Sequence, residues 1–318
     1  MRPIVFVPEE IASQGIRLLE ADCEVLAPWM TDSPVEPAML EVADGVIVRL
    51  FKIGHAELDN AVRLKVIAKH GVGLDNIAVD LALARGVCVL NTPTANTNAV
   101  AEHTVALMLA LARQIAPAAL ATKQGHFSDR VRFQGVEAAG STLGIVGFGR
   151  TGSRVAEIAN GLGMHILVFD PLISLESFVP YVQKVGALNE LLCEVDFLSL
   201  HLPLTPKTHH LLDGERLAQL KPSCRIVNTS RGAIIDEQAL VEALESGAVA
   251  GAALDVFEVE PLSADNALCR APNTLLTPHI SSSTKESLEK MAIEAARGVV
   301  DVLAGRRPDH PVDPGAQV

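Results

Sequence analysis

Short apolar runs alternate with longer helical patterns along most of the chain. Each run is rich in β-branched residues, ends at a turn and is followed by a helical stretch, which is typical of βαβ units with parallel sheets. The candidate strands of the first hundred residues are PIVFVP, CEVLAP, GVIVRL, LKVIAKHG and VCVLNTP. Those after residue 140 are STLGIVGFG, HILVFD, VDFLSLHLP, CRIVNTS, VAGAALDVF and NTLLTPHI. Two groups of strands predict two sheets.

Two apolar stretches predict helices beside these groups. The stretch NAVAEHTVALMLALAR, residues 98–113, is too densely apolar for a helix with a single buried face, so we expect it to be buried between its neighbours. A second helical stretch runs from about Lys285 to Ala304, after the last candidate strand. Because no candidate strand follows it, we expect this helix to pack back on the first group.

Composition and charge narrow the class of protein. The 318 residues are enough for two domains of ordinary size, and 49% apolar with 20% charged residues is typical of a folded globular chain. A net charge of −12 argues against nucleic acid or an anionic membrane as a partner, since both attract basic surfaces. The longest apolar runs, such as TVALMLALA, are too short to span a bilayer.

The cysteines and the first residues bear on location. The five cysteines are odd in number and widely spaced without a CxxC pair, so they predict neither a disulfide framework nor a zinc site. The segment MRPIVFVPEE reaches two acids before an apolar region of signal-peptide length can form. We therefore expect a cytoplasmic protein with no bound metal.

A glycine pattern after one strand indicates a dinucleotide site. The segment GIVGFGRTG contains GxGxxG as Gly147, Gly149 and Gly152, between the strand STLGIV and a helical pattern. In this arrangement the first glycine allows a tight turn, the second lets a pyrophosphate approach the backbone, and the third lets the helix pack on the strand. The helix N-terminus adds amide donors for the phosphates. Helix–strand packing without a ligand is the alternative explanation.

An acid at the end of the next strand favours NAD. Asp170 ends HILVFD, where a carboxylate can accept hydrogen bonds from an adenosine ribose. It would repel a 2′-phosphate, and the stretch DPLIS that begins with it contains no basic residue. We therefore predict NAD or its reduced form NADH rather than NADP, while Asp170-Pro171 taken alone also fits a plain turn.

Polar residues follow several strands of the second group. They are Arg231 after RIVN, Asp255 at the end of AGAAL, Glu260 in DVFEVEP and His279 after TLLTP. Ligands of open parallel sheets bind beyond the carboxyl ends of the strands, so we expect these side chains to meet. A guanidinium holds a carboxylate by two hydrogen bonds, and a histidine beside a carboxylate takes and returns a proton. With NAD, the set fits oxidation of an alcohol next to a carboxylate, while each residue alone also fits a loop.

Together these motifs resemble the D-isomer-specific 2-hydroxyacid dehydrogenases, in the branch of the phosphoglycerate dehydrogenases and hydroxypyruvate reductases. The resemblance runs nearly end to end, through KHGVGLDNI, NTPTANTNAVAEHTVALMLALAR, TLGIVGFGRTG, HLPLTPKTHHLL, NTSRGAIIDEQALVEAL, GAALDVFEVEP and TPHISSST. It implies two doubly wound, Rossmann-like α/β domains. The NAD-binding domain, residues 99–283, is inserted into a flavodoxin-like substrate-binding domain, residues 1–98 and 284–318. Family members are usually dimers, so a homodimer is expected.

The resemblance also implies roles for individual residues. Arg231, Glu260 and His279 match the catalytic trio, in which the arginine orients the substrate, the histidine is the acid/base and the glutamate favours its protonated form. The predicted cofactor contacts are Gly147, Gly149, Arg150, Thr151, Gly152, Asp170, Leu202, Thr229, Ser230, Asp255 and Ser282. The predicted contacts to the substrate, a small 2-oxo or 2-hydroxy acid, are Arg49, Val72, Gly73, Asn96, Arg231 and His279. The amides of Val72 and Gly73 are expected to receive its carboxylate.

Two departures from the family pattern bear on the ligands. Ser281 and Ser282 follow the histidine where the family often has a glycine or alanine pair, so cofactor contacts there are expected to differ. Arg49 is kept, but the Ser and Thr that follow it in many phosphoglycerate-type enzymes are absent, which argues against phosphoglycerate as the substrate. Arg49 is then either a contact to a distal acid group or part of a surface salt bridge.

Other readings of the chain remain. Four other histidines are expected to be structural or solvent-exposed, namely His103, His126, His209 and His210. An NAD-sensing scaffold of the corepressor kind shares the fold and the trio, and is the alternative to an enzyme. Formate dehydrogenases are a third option, but they pair the histidine with glutamine rather than with a residue such as Glu260.

Overall fold

The computed structural model describes residues 2–173 and 179–313. The chain forms two compact units. Unit 1 combines residues 1–96 with residues 283–318, and unit 2 comprises Thr97–Ser282. Each unit has its own parallel sheet and hydrophobic core, as the two groups of candidate strands predict.

Unit 1 is built on a five-stranded sheet with the order β2-β1-β3-β4-β5, in which all neighbouring strands are parallel. The strands are β1 Ile4–Phe6, β2 Glu24–Leu26, β3 Gly45–Val48, β4 Val66–Lys69 and β5 Cys88–Leu90. The helices are α1 Ser13–Asp22, α2 Pro37–Glu41, α3 His55–Asn60, α4 Val79–Ala84 and α11 Lys285–Leu303. This is the strand order of flavodoxin, which confirms the predicted flavodoxin-like arrangement.

The sheet of unit 1 is covered on both faces. Ile47 belongs to a buried cluster with α1 and α11, whereas Val46 and Ile67 belong to a second cluster on the other face, because successive strand residues point to opposite sides. α1 and α11 approach closely, since a Cβ at Gly15 would lie 2.7 Å from the carbonyl oxygen of Ala292. The prediction that the last helix packs on the first group of strands is therefore confirmed.

Unit 2 is built on a seven-stranded parallel sheet with the order β12-β11-β10-β9-β6-β7-β8. The strands are β6 Thr142–Val146, β7 His165–Phe169, β8 Val182–Lys184, β9 Phe197–Leu200, β10 Arg225–Asn228, β11 Gly251–Leu254 and β12 Thr274–Leu276. The helices are α5 Thr97–Ala112, α6 Ile115–Lys123, α7 Arg150–Gly161, α8 Leu188–Glu194, α9 Gly214–Leu217 and α10 Glu237–Glu245. The strand order reverses between the neighbours β6 and β9, as in a Rossmann fold, which confirms the predicted fold class.

The helix predicted over residues 98–113 is α5, and it lies in the core of unit 2. Val105, Leu107 and Met108 are buried against α7 and the strands β10 and β11. In the described part of the chain, no single helix is long and apolar enough to cross a membrane. The pair α5 and α6, bent by 65°, reaches that length and apolarity only in combination.

Candidate active site

The glycine-rich loop after β6 has the shape of a phosphate site. Gly147 has φ +92°, and a Cβ there would overlap the carbonyl oxygen of His201. A Cβ at Gly152 would overlap the carbonyl oxygen of Gly147. Gly149 is the N-cap of α7, and within the described residues no atom beyond its neighbours in the chain lies within 4 Å of where its Cβ would be. Packing therefore requires the first and third glycines, and the second leaves space at the helix N-terminus where a pyrophosphate fits.

Asp170 follows β7 and is buried, with 8% of its surface exposed. Its Oδ2 accepts a hydrogen bond from the Phe148 amide at 2.8 Å, and its Oδ1 accepts one from the Leu172 amide at 2.8 Å. The carboxylate therefore fastens the glycine-rich loop, and each oxygen retains a lone pair for a donor such as a ribose hydroxyl. The last residue of the stretch DPLIS, Ser174, lies outside the described residues.

The other predicted cofactor contacts lie beyond the carboxyl ends of neighbouring strands of unit 2. They are Arg150 and Thr151 in the first turn of α7, Leu202 after β9, Thr229 and Ser230 after β10, Asp255 after β11 and Ser282 after β12. The Thr229 hydroxyl is buried 2.7 Å from the Thr104 hydroxyl of α5. The expectation that ligands bind beyond the carboxyl ends of the strands therefore selects residues that lie at one edge of the sheet.

The turn that carries Arg231 is shaped by Asn228, the last residue of β10. The Asn228 amide donates to the Arg231 carbonyl oxygen at 2.8 Å, and its Oδ1 accepts from the Ser230 amide and hydroxyl at 3.0 and 2.8 Å. Asn228 is buried, so these bonds replace those it would make with water. A Cβ at Gly232 would overlap the backbone of Phe257. Glycine at 232 therefore lets the Arg231 turn pack directly on the segment after β11.

The ring of His279 lies in contact with the carboxylate of Glu260. Its Nδ1 is 2.7 Å from Oε2 of Glu260, and the two side chains are 42% and 35% exposed. The other oxygen, Oε1, accepts the Phe257 amide at 3.1 Å. Burial raises the pKa of the Glu260 carboxyl, but the hydrogen bond and charge of His279 and the Phe257 amide outweigh burial, so this pKa lies below its usual value. Because an ionised carboxylate only accepts, Nδ1 donates to Glu260 and Nε2 is the nitrogen that can exchange a proton with a ligand.

Asp255 organises the loop after β12. Its side chain is fully buried. Oδ1 accepts the Thr277 hydroxyl at 2.6 Å and the Ile280 amide at 2.9 Å, and Oδ2 accepts the Ser281 amide at 2.8 Å. Burial raises the pKa of Asp255, but the nearby ring of His103 and the hydrogen bonds from Thr277 and the two amides lower it to about 2. A buried negative charge therefore lies beneath the loop.

Three residues of this arrangement were not among the predicted site residues. Asn228 is the last residue of β10 and Thr277 directly follows β12, at the same edge as the predicted residues, so the rule that selected Arg231 and Asp255 also points to them. His103 was expected to be structural or exposed, and its Nε2 lies 3.3 Å from Thr277 Oγ1 and 3.6 Å from Asp255 Oδ1. Its position in the middle of a buried helix gives no signal of this contact in the sequence.

The remaining histidines and the cysteines lie elsewhere in the described chain. His126 is exposed, and the rings of His209 and His210 stack with centroids 4.0 Å apart. His210 Nε2 is 2.9 Å from Oε1 of Glu258. All five cysteines are unpaired with one another. Among residues 2–173 and 179–313, no group of three or more His, Cys, Asp or Glu side chains is placed to hold a metal ion.

In unit 1, Arg49, which was predicted either to contact a distal acid group of the substrate or to form a surface salt bridge, lies directly after β3. NH1 of Arg49 donates to the Glu10 carbonyl oxygen at 2.9 Å. The amides of Arg49, Leu50 and Phe51 all donate to the carboxylate of Glu9, at 2.7 to 2.9 Å. The end of β3 is therefore shaped by a carboxylate in a ring of successive backbone amides, which is an anion-binding geometry.

The other predicted substrate contacts of unit 1 follow β4 and β5. The Val72 carbonyl oxygen accepts the Asn91 side-chain amide at 2.8 Å. The amide of Gly71 donates to the Thr92 hydroxyl at 3.0 Å, which ties the loop after β4 to the loop after β5. Gly73 belongs to the first of these loops, and Asn96 ends the second.

Comparison with known proteins identifies the family. Residues 105–281 match the model of the NAD binding domain of the D-isomer specific 2-hydroxyacid dehydrogenases. A curated relative, the D-3-phosphoglycerate dehydrogenase of a Synechocystis species, is 40% identical over 303 residues, covering 95% of this chain and 54% of the relative. The chain spans 49% to 60% of the length of the first curated relatives that it matches.

Solved structures agree with this match. The TT0316 protein from Thermus thermophilus is 37% identical with a TM-score of 0.89, covering 98% of this chain and 100% of that one. D-lactate dehydrogenase from Aquifex aeolicus, solved with NAD and lactic acid, is 29% identical with a TM-score of 0.83, covering 95% and 96%. The resemblance inferred from the motifs is confirmed, and unit 2 contains the NAD binding domain. Because the family model matches more than half of the chain, this protein belongs to the D-isomer specific 2-hydroxyacid dehydrogenase family, in the branch of the phosphoglycerate dehydrogenases.

Proposed function

We propose that this protein is an NAD-dependent oxidoreductase that interconverts a small D-2-hydroxy acid and its 2-oxo acid. The observation that carries the proposal is the 2.7 Å contact between His279 and Glu260, at the carboxyl edge of the NAD binding unit. The reaction needs an acid/base at the carbon that reacts and a cation for the neighbouring carboxylate, and Arg231 supplies the cation. The glycine-rich loop and Asp170 would hold NAD, which would supply the hydride acceptor for that carbon.

The proton is handled by His279. In the oxidation, Nε2 takes the proton of the substrate hydroxyl group, and in the reduction Nε2 returns it to the carbonyl oxygen. Glu260 at Nδ1 stabilises the charged ring, because a carboxylate beside an imidazole favours its protonated form. Arg231 holds the substrate carboxylate, so that the hydroxyl group meets Nε2 in one orientation.

The proposal also assigns NAD binding to one domain and substrate binding to the other. Residues 99–283 form the NAD-binding domain, and residues 1–98 with 284–318 form the substrate-binding domain. Support comes from the Rossmann strand order of unit 2 and from the flavodoxin-like strand order of unit 1. The substrate contacts proposed in unit 1 remain Arg49, Val72, Gly73 and Asn96.

The preference for NAD over NADP is proposed to lie with Asp170. A carboxylate at the end of β7 can accept ribose hydroxyls, and its charge opposes a 2′-phosphate. Arg150, Thr151, Leu202, Thr229, Ser230 and Ser282 complete the proposed cofactor contacts, and Asp255 is proposed to lie near the nicotinamide amide.

The protein is further proposed to be a cytoplasmic homodimer. Unpaired cysteines and an acidic net charge suit a reducing compartment away from membranes and nucleic acid. The segment from α6 through the 3₁₀ helix Phe127–Arg132 exposes Ile115, Leu120, Phe127 and Val131. Several exposed apolar side chains on one segment are typical of an interface, and a second copy of the chain is the partner that the family resemblance implies. Light scattering on the wild type and on Val131→Asp tests this, with a dimer and a monomer expected, and a monomeric wild type contradicts it.

A panel of 2-oxo acids, including glyoxylate, hydroxypyruvate and pyruvate, tests the activity when it is assayed in parallel with NADH and NADPH. Oxidation of NADH with at least one of these acids is expected. If NADH binds but no acid in a broad panel is reduced, the enzyme proposal fails and the NAD-sensing scaffold takes its place.

A further inference from the structure

The loop after β12 holds His279 in a conformation that a residue with a side chain rarely adopts. His279 has φ +52°, in the left-handed region, where the Cβ atom crowds the following carbonyl oxygen, so that residues other than glycine adopt it uncommonly. Its own amide donates to the Thr277 carbonyl oxygen at 3.0 Å. Such a conformation persists only where the surroundings determine it, so contacts of the neighbouring residues must hold the loop in place.

Those contacts converge on one carboxylate. The amides of Ile280 and Ser281, directly after His279, donate to the two oxygens of Asp255 at 2.9 and 2.8 Å. The hydroxyl of Thr277, two residues before His279, donates to Oδ1 at 2.6 Å. Asp255 is fully buried, so these donors take the place of water around its charge. The backbone on both sides of His279 is therefore fastened to Asp255.

Thr277 is the member of this set that acts through a side chain, and the direction of its hydrogen bond is fixed. An ionised carboxylate only accepts, so the Thr277 hydroxyl donates its one proton to Asp255. Its lone pairs are then left for a donor, and His103 Nε2 lies 3.3 Å away. His103 Nε2 is also 3.6 Å from Asp255 Oδ1. The Thr277 hydroxyl thus joins a side chain of α5 to the carboxylate at the end of β11.

We propose that Thr277 is a positioning residue for His279. Its hydroxyl orients the Asp255 carboxylate and, through it, the backbone of residues 277–281 that presents the imidazole to Glu260. Its effect on turnover rests on the proposed function, whereas its effect on the ring of His279 does not. The inference assigns a role to the threonine that precedes Pro278, outside the catalytic trio and outside the cofactor contacts proposed above.

Three variants separate the hydroxyl from the shape of the side chain. Thr277→Val removes the hydroxyl and keeps the branching, and Thr277→Ser keeps the hydroxyl. Thr274→Val is the matched control, because Thr274 lies on β12 and its hydroxyl donates to the carbonyl oxygens of Leu268 and Ala271 at 3.2 and 3.1 Å, away from Asp255.

The kinetic expectation is specific to the hydroxyl. Thr277→Val is expected to lower kcat/KM for reduction of the 2-oxo acid by about 10- to 100-fold, since a small displacement of a catalytic group costs that much. Thr277→Ser is expected to restore most of the loss, and Thr274→Val to stay within about threefold of the wild type. The alkaline limb of the pH profile is expected to move to lower pH in Thr277→Val, because a ring less well aligned with Glu260 holds its proton less firmly.

A purely structural role would leave the pH limb in place while the melting temperature fell. Side-chain NMR of the histidines, with the His279 signals assigned from a His279→Gln sample, tests the same point without turnover. The ring of His279 is expected to titrate at lower pH in Thr277→Val than in the wild type or Thr274→Val. If the wild type reduces no 2-oxo acid, the proposed function fails, but the NMR titration still decides whether Thr277 positions His279. An unmoved titration in Thr277→Val, or equal impairment of Thr277→Ser and Thr277→Val, overturns the positioning role.

Discussion

Each unit has a histidine beyond the carboxyl end of its sheet, and the two differ in their surroundings. In unit 1, His70 follows β4, is 5% exposed and has Nε2 3.3 Å from the carbonyl oxygen of Leu288. In unit 2, His279 follows β12, is 42% exposed and has Nδ1 2.7 Å from the carboxylate of Glu260. Burial keeps the imidazole of His70 neutral even though the carbonyl oxygen favours the charged ring, whereas a carboxylate and solvent allow an imidazole to hold and release a proton. Position at a sheet edge is therefore not enough to make a histidine an acid/base.

Replacing His279 with alanine is expected to have the largest effect on turnover. General acid–base catalysis contributes about 10²- to 10⁴-fold, so kcat/KM should fall by that factor. NADH binding should persist, because the proposed cofactor site is built from the glycine-rich loop and Asp170, and the Asp170 carboxylate is held by the Phe148 and Leu172 amides rather than by this ring. Steady-state kinetics and a fluorescence titration with NADH measure the two effects.

The matched control for this variant is His126→Ala, an exposed histidine of the same unit. His126→Ala should leave kcat/KM close to that of the wild type. Near-normal turnover of His279→Ala would remove His279 as the acid/base, and the contrast with His70 would then lose its functional meaning.

Exchanging Glu260 for glutamine tests whether the carboxylate beside His279 accounts for its difference from His70. Nδ1 of His279 can still donate to the amide oxygen, but the charged ring loses the carboxylate that stabilises it. We expect kcat/KM for reduction to fall roughly 10- to 100-fold, with the alkaline limb of its pH profile at lower pH. Glu258→Gln is the control, because Glu258 lies in the same segment and pairs with His210 instead. Equal losses in the two variants would mean that the segment as a whole, and not the charge beside His279, matters.

The neutral state of His70 makes the fold sensitive to acid. Burial, followed by the charge of Arg49, lowers the pKa of His70 from 6.5 to about 4. Because the pKa in the folded state lies below that in the unfolded state, this stabilisation is present in full above pH 6.5 and is lost as the pH falls towards 4. At about 1.4 kcal/mol per pKa unit, the loss amounts to roughly 3 kcal/mol. His70→Gln should remove this part of the pH dependence, as measured by urea unfolding at pH 7.5 and 4.5.

Unit 2 contributes a separate acid sensitivity, since burial also lowers the pKa of His201 to about 4. Some pH dependence should therefore remain in His70→Gln. His55→Gln, which changes an exposed histidine of unit 1, should behave like the wild type. If His70→Gln and His55→Gln lose the same stability on acidification, the buried histidine is not the cause.

The strands that could be predicted are those with dense apolar runs. β8, Val182–Lys184, was not predicted, because it is an edge strand of three residues, Val, Gln and Lys, of which only the first is apolar. A strand paired on one side only needs little apolar surface, so the pattern that marks buried strands is absent from it. The last helix, predicted over residues 285–304, was found as Lys285–Leu303, because its small and apolar residues repeat at the helical period over five turns.

The candidate site likewise contains residues that could be predicted from the sequence and contacts that could not. Arg231, Asp255 and His279 could be placed at one edge because each follows a readable strand. The contact between His103 and Thr277 could not be predicted, because α5 is apolar around its circumference. Tertiary packing therefore decides how the helix is rotated about its axis and which residue faces Thr277. The left-handed backbone of His279 was equally out of reach, since it arises from hydrogen bonds to Asp255 across the sheet edge.

Asp170 tests whether a carboxylate that holds backbone amides also selects a ligand. Glu9 of unit 1 accepts three successive amides, and Asp170 of unit 2 accepts one from Phe148 of the glycine-rich loop and one from Leu172 after β7. Asp170→Ser is expected to lower the ratio of NADH to NADPH affinity about tenfold, or 1.4 kcal/mol, because the ribose acceptor and the charge that opposes a 2′-phosphate are both lost. Both affinities should also fall, since the loop loses an anchor, so fluorescence titrations must report the ratio. The control is Asp196→Ser, which removes a carboxylate that accepts the Thr142 amide at the start of β6. An unchanged ratio in Asp170→Ser would leave Asp170 with the same purely structural task as Glu9, and cofactor selection would have to come from other residues of unit 2.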